Sequence, residues 1–308
     1  MKKAIIVLLV LLIVLVVALV VAVPAKKVQA GKADVVVTTF ALYDIARHLL
    51  EQDAEVAMLI PFGRDVHTFE PTPQDMIRVE KCRLFLYSDA GLEPWAGPFE
   101  SFGNAKDMSR YVRLHEGGDA HHDEAAETHD DDHHGADPHY WLDIDNMIAL
   151  AKASEQLFTS TLPALDAEKV RARSAAYIKR LETLDALYRK RLSGCGLDTI
   201  VVSHNAFGYL AERYGFHVEA VTGLSPDTMP NAKTMAQLTD MVRDHGIKTL
   251  FYEPFVSDKL VASLAAETGV RVDVLQPLAN ITADEIGADY FRLMNANLLK
   301  LHDALECR

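Results

Sequence analysis

Hydrophobic and polar positions along this chain change period repeatedly from residue 34 onward. Short apolar runs alternate with stretches in which apolar side chains recur every three or four residues. The runs predict strands at residues 34–39, 55–60, 84–87 and 111–114, and again at 199–203, 218–221, 249–252 and 270–275. The intervening stretches predict helices at residues 42–51, 73–81, 207–214, 232–245 and 258–268, and a long last helix over 284–305. Strands that alternate with helices indicate parallel sheets covered on both faces, so we expect an α/β fold with two lobes.

A longer helical pattern separates the two halves. Residues 166–192 contain no Gly or Pro, and their apolar side chains recur at spacings of three, four or seven from Val170 to Leu192. At 1.5 Å per residue such a helix spans about 40 Å, long enough to run along both lobes. We therefore expect a C-clamp arrangement in which one rigid linker helix joins the lobes and permits only small lobe movements.

The N-terminus carries a different pattern, an unbroken apolar run over residues 4–23. Its length is sufficient for a bilayer span, whereas Val28-Gln29-Ala30 resembles the small-residue cleavage site of a signal peptide. We interpret residues 1–30 as a signal peptide or a membrane anchor. Both alternatives predict that residues 31–308 lie outside the cytoplasmic membrane, released or anchored to its outer face.

Composition narrows the class of partner. The net charge of −13 and the lack of a basic patch argue against nucleic acid and favour cations. An exported chain could oxidise one pair of its three cysteines, Cys82, Cys195 and Cys307, and all three pairings remain open at this stage.

The most unusual stretch is rich in histidine and acidic residues. Residues 115–143 hold seven of the thirteen histidines and ten acidic residues, without Lys or Arg. It has no apolar period, so we expect a long solvated loop over residues 115–138 that either is a plain acidic linker or offers weak auxiliary metal sites. The histidines concerned are His115, His121, His122, His129, His133 and His134.

Three further histidines are candidates for a tight metal site. His67 follows the second predicted strand, His139 ends the acidic tract, and His204 follows the first strand of the second lobe. Parallel sheets present ligand-binding groups in loops beyond the carboxyl ends of their strands. A single ion between the lobes could therefore take all three imidazoles, which are ordinary Zn²⁺ ligands.

The chain resembles the metal-binding solute receptors of ABC importers for zinc and manganese, the cluster A-I family, and especially its zinc-uptake branch. The matching motifs occur in the family's order over residues 34–305; they are GRDVHTFEPTP at 63–73, DAGLEPW at 89–95, DPHYWLD at 137–143, SHNAFGY at 203–209, GLSPD at 223–227 and FYEP at 251–254. The resemblance implies that His67, His139 and His204 bind the metal. Manganese-type relatives generally carry a carboxylate where this chain has His204, and imidazole in that place favours Zn²⁺.

One departure concerns a fourth ligand. The family often supplies an aspartate after the last strand of the second lobe, where this chain has Gln276. We therefore expect water or Gln276 in fourth place. The acidic residues Glu70, Asp143 and Glu253 are expected to orient a histidine or cap a helix instead.

These observations predict an extracytoplasmic Zn²⁺ receptor that delivers its ion to an ABC permease. We expect a monomer with a first lobe at residues 31–160, a linker at 161–194 and a second lobe at 195–308. The alternatives are a receptor for Mn²⁺, Fe²⁺ or Ni²⁺, a zinc hydrolase with a three-histidine water site, and a surface adhesin. No His-Glu-x-x-His run is present to favour a hydrolase, and no repeat array favours an adhesin.

Overall fold

Two four-stranded parallel sheets with the same strand order form the framework. The computed structural model describes residues 33–115, 135–224, 232–255 and 259–308. The first sheet has the order β2-β1-β3-β4 and contains β1 Val35–Val37, β2 Val56–Met58, β3 Leu84–Tyr87 and β4 Ala105–Asp107. The second has the order β6-β5-β7-β8 and contains β5 Thr199–His204, β6 His217–Thr222, β7 Thr249–Tyr252 and β8 Arg271–Val274. The predicted two-lobed α/β class is confirmed.

Helices cover these sheets and join them. In chain order they are α1 Phe40–Leu50, α2 Pro73–Lys81, α3 Ile144–Thr161, α4 Ala167–Arg191, α5 Gly208–Tyr214, α6 Ala232–Asp244, α7 Lys259–Thr268 and α8 Tyr290–Ala304. The linker prediction is confirmed by α4, which begins after the N-cap Asp166. Two buried tyrosines of α4 tie it to helices near each end of the chain. The Tyr177 hydroxyl donates to Asp44 of α1 at 2.8 Å, and the Tyr188 hydroxyl donates to the Met294 carbonyl of α8 at 2.6 Å.

Two predicted elements are wrong. Residues 111–114 are not a strand, and the strand that pairs with β3 is β4 instead. The pattern does not predict β4, because its sequence Ala-Lys-Asp lacks an apolar run. The last helix begins at Tyr290 rather than near residue 284. Gly287 has a φ of 100°, which a helix does not allow, and Asp289 caps the helix that follows by accepting from the Arg292 amide.

Each lobe has a hydrophobic cluster of its own, and the two lobes share a further cluster, because the chain after β8 crosses back to the first lobe. The Phe40 amide donates to the Ala279 carbonyl at 2.8 Å, and the Trp141 indole donates to the Pro277 carbonyl at 2.8 Å. Side chains of both lobes and of the linker helix belong to the same buried cluster. The two sheets are therefore held in a fixed relation by main-chain bonds as well as by the linker.

The structure shows which cysteines pair, but it does not describe the N-terminal segment or most of the His/Asp-rich loop. Cys195 and Cys307 form a disulfide, and Cys82 is a buried free thiol. The N-terminal segment 1–30 and most of the His/Asp-rich loop, residues 116–134, lie outside the described residues. Within the four described ranges, no helix is both long enough and apolar enough to cross a membrane.

Candidate metal centre

The three predicted histidines meet at the carboxyl edges of both sheets. His67 lies in the loop after β2, His139 precedes a short 3₁₀ turn that leads into α3, and His204 is the last residue of β5. One nitrogen of each ring lies within 4.8 Å of the corresponding nitrogens of the other two. In the described part of the chain this is the one group of three or more metal-binding side chains.

The spacing of these rings fits a tetrahedral ion. The Nε2 atoms of His139 and His204 are 3.4 Å apart, and the ring centroids of the three pairs are separated by 5.2 to 5.4 Å. Two nitrogens bound to zinc at about 2.0–2.1 Å with a tetrahedral angle lie about 3.4 Å from each other. The histidines can therefore close around Zn²⁺ with little rearrangement.

Buried carboxylates contact the Nδ1 atoms of two of the three histidine rings. Asp137 Oδ1 contacts His139 Nδ1 at 2.8 Å, and Glu253 Oε1 contacts His204 Nδ1. We assign the Nδ1 protons to these contacts, because a carboxylate accepts and does not donate. Each Nε2 then directs its lone pair into the site, which is the arrangement that outer carboxylates impose on metal-binding histidines.

Burial keeps His67 neutral, so a ring nitrogen is available to bind a cation. Burial lowers the pKa of His67 to about 2, and the nearby rings of His139 and His204 add to this effect, so the imidazole is neutral at physiological pH. Burial alone would also lower the pKa of His204, but the negative charge of Glu253 outweighs it and the pKa is raised. The negative charge of Glu253 thus stabilises a positive charge on the adjoining ring of His204.

The cavity between the histidines is the size of an ion or a single water. Its volume is about 20 Å³, and its other lining residues include Asp65, Glu253 and Phe255. A water needs about 10–15 Å³ measured this way, whereas ligand pockets for small molecules measure about 300–1,000 Å³. The site accepts an ion and excludes an organic substrate.

The fourth-ligand prediction is not tested by this geometry. The described residues around the cavity do not include Gln276, whose Nε2 donates to Glu285 at 2.8 Å and whose backbone amide donates to Asn297 at 3.0 Å. Asp143 caps α3, as one alternative expected, because its side chain accepts from the backbone amides of Asp145 and Asn146. Glu70 is exposed beside the His67 loop.

Sequence reasoning missed the role of Asp137. It lies two residues before His139 within the DPHYWLD motif, and its carboxylate also accepts from the His139 amide at 2.9 Å. An Asp-Pro-His triplet is a signal for such a turn, because a carboxylate readily bonds the backbone two residues later. Among the predicted auxiliary histidines, His115 is described and contacts Glu212 at 3.1 Å, and the other five lie outside the described residues.

Comparison with known proteins agrees with this geometry. The family model described as "ZnuA: Zinc-uptake complex component A periplasmic" matches residues 35–304. The zinc-binding protein AdcA of Streptococcus pyogenes is 33% identical over 291 residues, which cover 89% of this chain and 56% of that protein. The high-affinity zinc uptake system protein ZnuA of Bacillus subtilis is 31% identical over 284 residues, covering 89% of this chain and 88% of that protein.

A solved structure extends the likeness to the fold. The crystal structure of Zn(II)-bound AdcA from Streptococcus pneumoniae matches with a TM-score of 0.74 at 29% identity, covering 90% of this chain and 58% of that one. The chain thus spans just over half the length of the AdcA relatives that it matches. With a family model that covers nearly all of the described residues, the chain belongs to the ZnuA family of zinc-uptake components.

Proposed function

We propose that this protein is an extracytoplasmic receptor that captures Zn²⁺ between its lobes and delivers it to an ABC permease. The observation that carries the proposal is the trio of His67, His139 and His204, contributed by both lobes, with two Nε2 atoms at the 3.4 Å spacing of a tetrahedral ion. Relatives named as zinc-binding and zinc-uptake proteins support it. Residues 31–160 and 195–308 act as the lobes of a monomeric receptor, with 161–194 as the linker.

The histidines have distinct tasks in this proposal. His67 binds as a neutral imidazole without losing a proton, since its pKa is far below physiological pH. His139 and His204 bind through Nε2 while Asp137 and Glu253 fix their rings. Water takes the fourth position more readily than Gln276, which does not line the cavity between the histidines.

Ligand chemistry separates zinc from the other cargoes. Three imidazoles suit Zn²⁺, whereas Mn²⁺ favours carboxylate, carbonyl and water oxygens. Nickel favours square-planar or tetragonal sites, and iron favours two histidines with a carboxylate, so three imidazoles at a tetrahedral spacing match neither. The cavity size also argues against the hydrolase alternative, since a hydrolytic zinc needs an adjoining space for its substrate.

The His/Asp-rich loop has a separate role, that of a local cation trap which feeds the interlobe site. Its many acidic residues and five of its histidines, His121, His122, His129, His133 and His134, offer weak, exchanging sites for a cation. Deletion of residues 117–135 is therefore expected to leave one tight Zn²⁺ site and remove the weak ones. Loss of the tight site with the loop would mean that trap and receptor site are one.

The test is a chelator-competition titration of residues 31–308 with Zn²⁺ and Mn²⁺ in parallel. His204→Ala is compared with His245→Ala, a matched control at an exposed histidine at the end of α6. The proposal expects one tight zinc site that the control retains and His204→Ala loses, with manganese far weaker throughout. Equal manganese affinity, or a tight zinc site in His204→Ala, would overturn it.

A further inference from the structure

The segment that carries His139 is gripped by one short helix of the second lobe. Helix α5, Gly208–Tyr214, begins four residues after His204, and it contacts the first lobe on both sides of His139. Two buried or nearly buried side chains of α5 make these contacts, Tyr209 and Arg213.

Tyr209 secures the side before His139. Its hydroxyl donates to the Asp137 carbonyl at 2.8 Å and accepts from the His115 amide at 2.9 Å. The His115 ring also stacks on the Tyr209 ring, with centroids 4.0 Å apart. One phenol therefore fixes the backbone of Asp137, whose carboxylate sets the orientation of His139.

Gly208 shows how closely α5 approaches this carboxylate. A Cβ atom at position 208 would lie 3.0 Å from Asp137 Oδ2. Contacts between carbon and oxygen this short require one side to move, so the glycine permits the approach.

Arg213 secures the side after His139. Its guanidinium donates to both oxygens of Asp145, at 2.7 and 3.0 Å, and to Asp143 at 3.3 Å. The Arg213 side chain is only 9% exposed, and its Nε donates to Asp185 of the linker helix at 2.7 Å. A two-pronged bond of this kind fixes direction as well as distance.

We propose that Tyr209 and Arg213 form a latch that holds the His139 segment against the His204 lobe and sets the rate at which zinc leaves the interlobe site. The inference rests on the proposed function and adds positioning residues to it. Release requires His139 and His204 to separate, and they cannot do so while α5 holds residues on both sides of His139. The latch must therefore open before or during delivery, and the permease is the agent that opens it.

The test compares two single hydroxyl deletions on the same helix. Tyr209→Phe removes both bonds to the His139 segment, whereas Tyr214→Phe removes only a bond to Asp185 at 3.0 Å. Zinc dissociation is followed by stopped-flow mixing of the zinc-loaded protein with excess chelator. We expect dissociation about tenfold faster in Tyr209→Phe and within about twofold of wild type in Tyr214→Phe.

A second pair of variants tests the latch independently, in case Tyr209→Phe does not fold. Arg213→Lys keeps the charge but loses the two-pronged bond to Asp145. Asp185→Asn weakens the bonds that the linker helix accepts from Arg213, Tyr214 and Arg189 and leaves the bonds from Arg213 to the His139 segment in place. We expect Arg213→Lys to release zinc about fivefold faster, with association unchanged, and Asp185→Asn to resemble wild type. A merely structural role would lower the melting temperature of the apo protein without this selective change in the dissociation rate.

The outcomes distinguish the latch from the receptor function. Wild-type dissociation rates in both Tyr209→Phe and Arg213→Lys, with tight zinc still lost in His204→Ala, would overturn the latch and leave the receptor intact. Tight zinc binding in His204→Ala would overturn the proposed function itself.

Discussion

At the scale of single residues, the site depends on carboxylates that do not need to touch the metal. Asp137 and Glu253 are buried behind His139 and His204, and each contacts a ring nitrogen directed away from the cavity. Replacement by an amide removes the negative charge and allows the ring to rotate. The histidine set alone therefore does not fix the affinity of the site.

We expect Glu253→Gln and Asp137→Asn each to weaken Zn²⁺ binding by about 10- to 100-fold, the usual effect of removing an outer carboxylate. Chelator competition measures the affinity, with the exposed Glu182→Gln on α4 as the control. Affinities equal to that of the control would mean that the rings are held by packing alone.

A second residue-scale effect concerns a buried acid remote from the metal. Glu93 is 1% exposed, and one of its oxygens accepts from the Asp89 amide at 2.7 Å. That bond supports a turn in which Asp89 and Ala90 have φ values of 51° and 54°, a conformation unfavourable for residues other than glycine. Burial raises the pKa of Glu93 from 4.5 to about 7.

This shift predicts a stability that falls as pH rises. The folded state binds the Glu93 proton more tightly than the unfolded state, so the contribution is complete below pH 4.5 and is lost as pH rises through about 7. The difference between these two pKa values corresponds to about 3 kcal/mol. We expect Glu93→Gln to gain stability over wild type between pH 5 and pH 8 by about this amount.

Urea unfolding at several pH values measures the effect, and Glu80→Gln on the exposed face of α2 is the control. A pH-independent difference between Glu93→Gln and wild type would contradict the assignment of the proton to Glu93.

At the scale of elements, local signals explain what could be predicted. Helix α2 has the predicted bounds, and its start is marked locally by the capping box of Thr72 and Asp75 with Pro73 in the first turn. The edge strand β4 and the start of α8 were not predicted, since β4 has no apolar run and the break at Gly287 follows from a backbone angle. Sequence patterns therefore predict elements with a clear local periodicity well, and they predict short strands at the edge of a sheet poorly.

The same contrast applies to the metal centre. Positions after strands, together with the family resemblance, predicted His67, His139 and His204, which the fold brings together. The role of Tyr209 could not be predicted, because it depends on a contact with Asp137, which lies 72 residues earlier in the chain. Long-range contacts of this kind have no periodic signal.

The disulfide between Cys195 and Cys307 is an element-scale feature with a measurable effect. It joins the turn after α4 to the end of α8, across a sequence separation of 112 residues. Adjacent backbone bonds, from Gly196 to Glu306 and from Leu197 to Leu305, hold the same two segments together. A cross-link of this span restricts the unfolded chain and so stabilises the fold.

We expect Cys195→Ser with Cys307→Ser to lower the free energy of unfolding by about 2–5 kcal/mol. Reductant should reduce the stability of wild type toward that of the double variant and leave the variant unchanged. Cys82 does not interfere, since it is buried and burial raises its pKa to about 11. A reductant-insensitive wild type would indicate that the disulfide is absent in solution.

At the scale of the whole molecule, the two lobes are less independent than their separate sheets imply. The chain after β8 bonds to the first lobe through Ala279 and Pro277, and the Tyr290 hydroxyl of α8 donates to the Trp141 carbonyl at 2.7 Å. A hinge-bending receptor would have to break these bonds whenever it opened. Small displacements of loops and of α5 can release an ion without breaking them.

We therefore expect zinc to change the overall shape very little. The radius of gyration of residues 31–308, measured by small-angle X-ray scattering with and without Zn²⁺, should differ by less than about 1 Å, as for complexes whose backbone is preorganised.

Zinc should nevertheless raise the melting temperature strongly, because an ion at 1,000 times its dissociation constant adds about 4 kcal/mol to the free energy of unfolding. A large change in radius would mean that the bonds from Trp141 and Phe40 to the crossing segment break in the apo protein. Trp141→Phe, which removes the indole donor to Pro277, would then mimic the metal-free shape even with zinc bound.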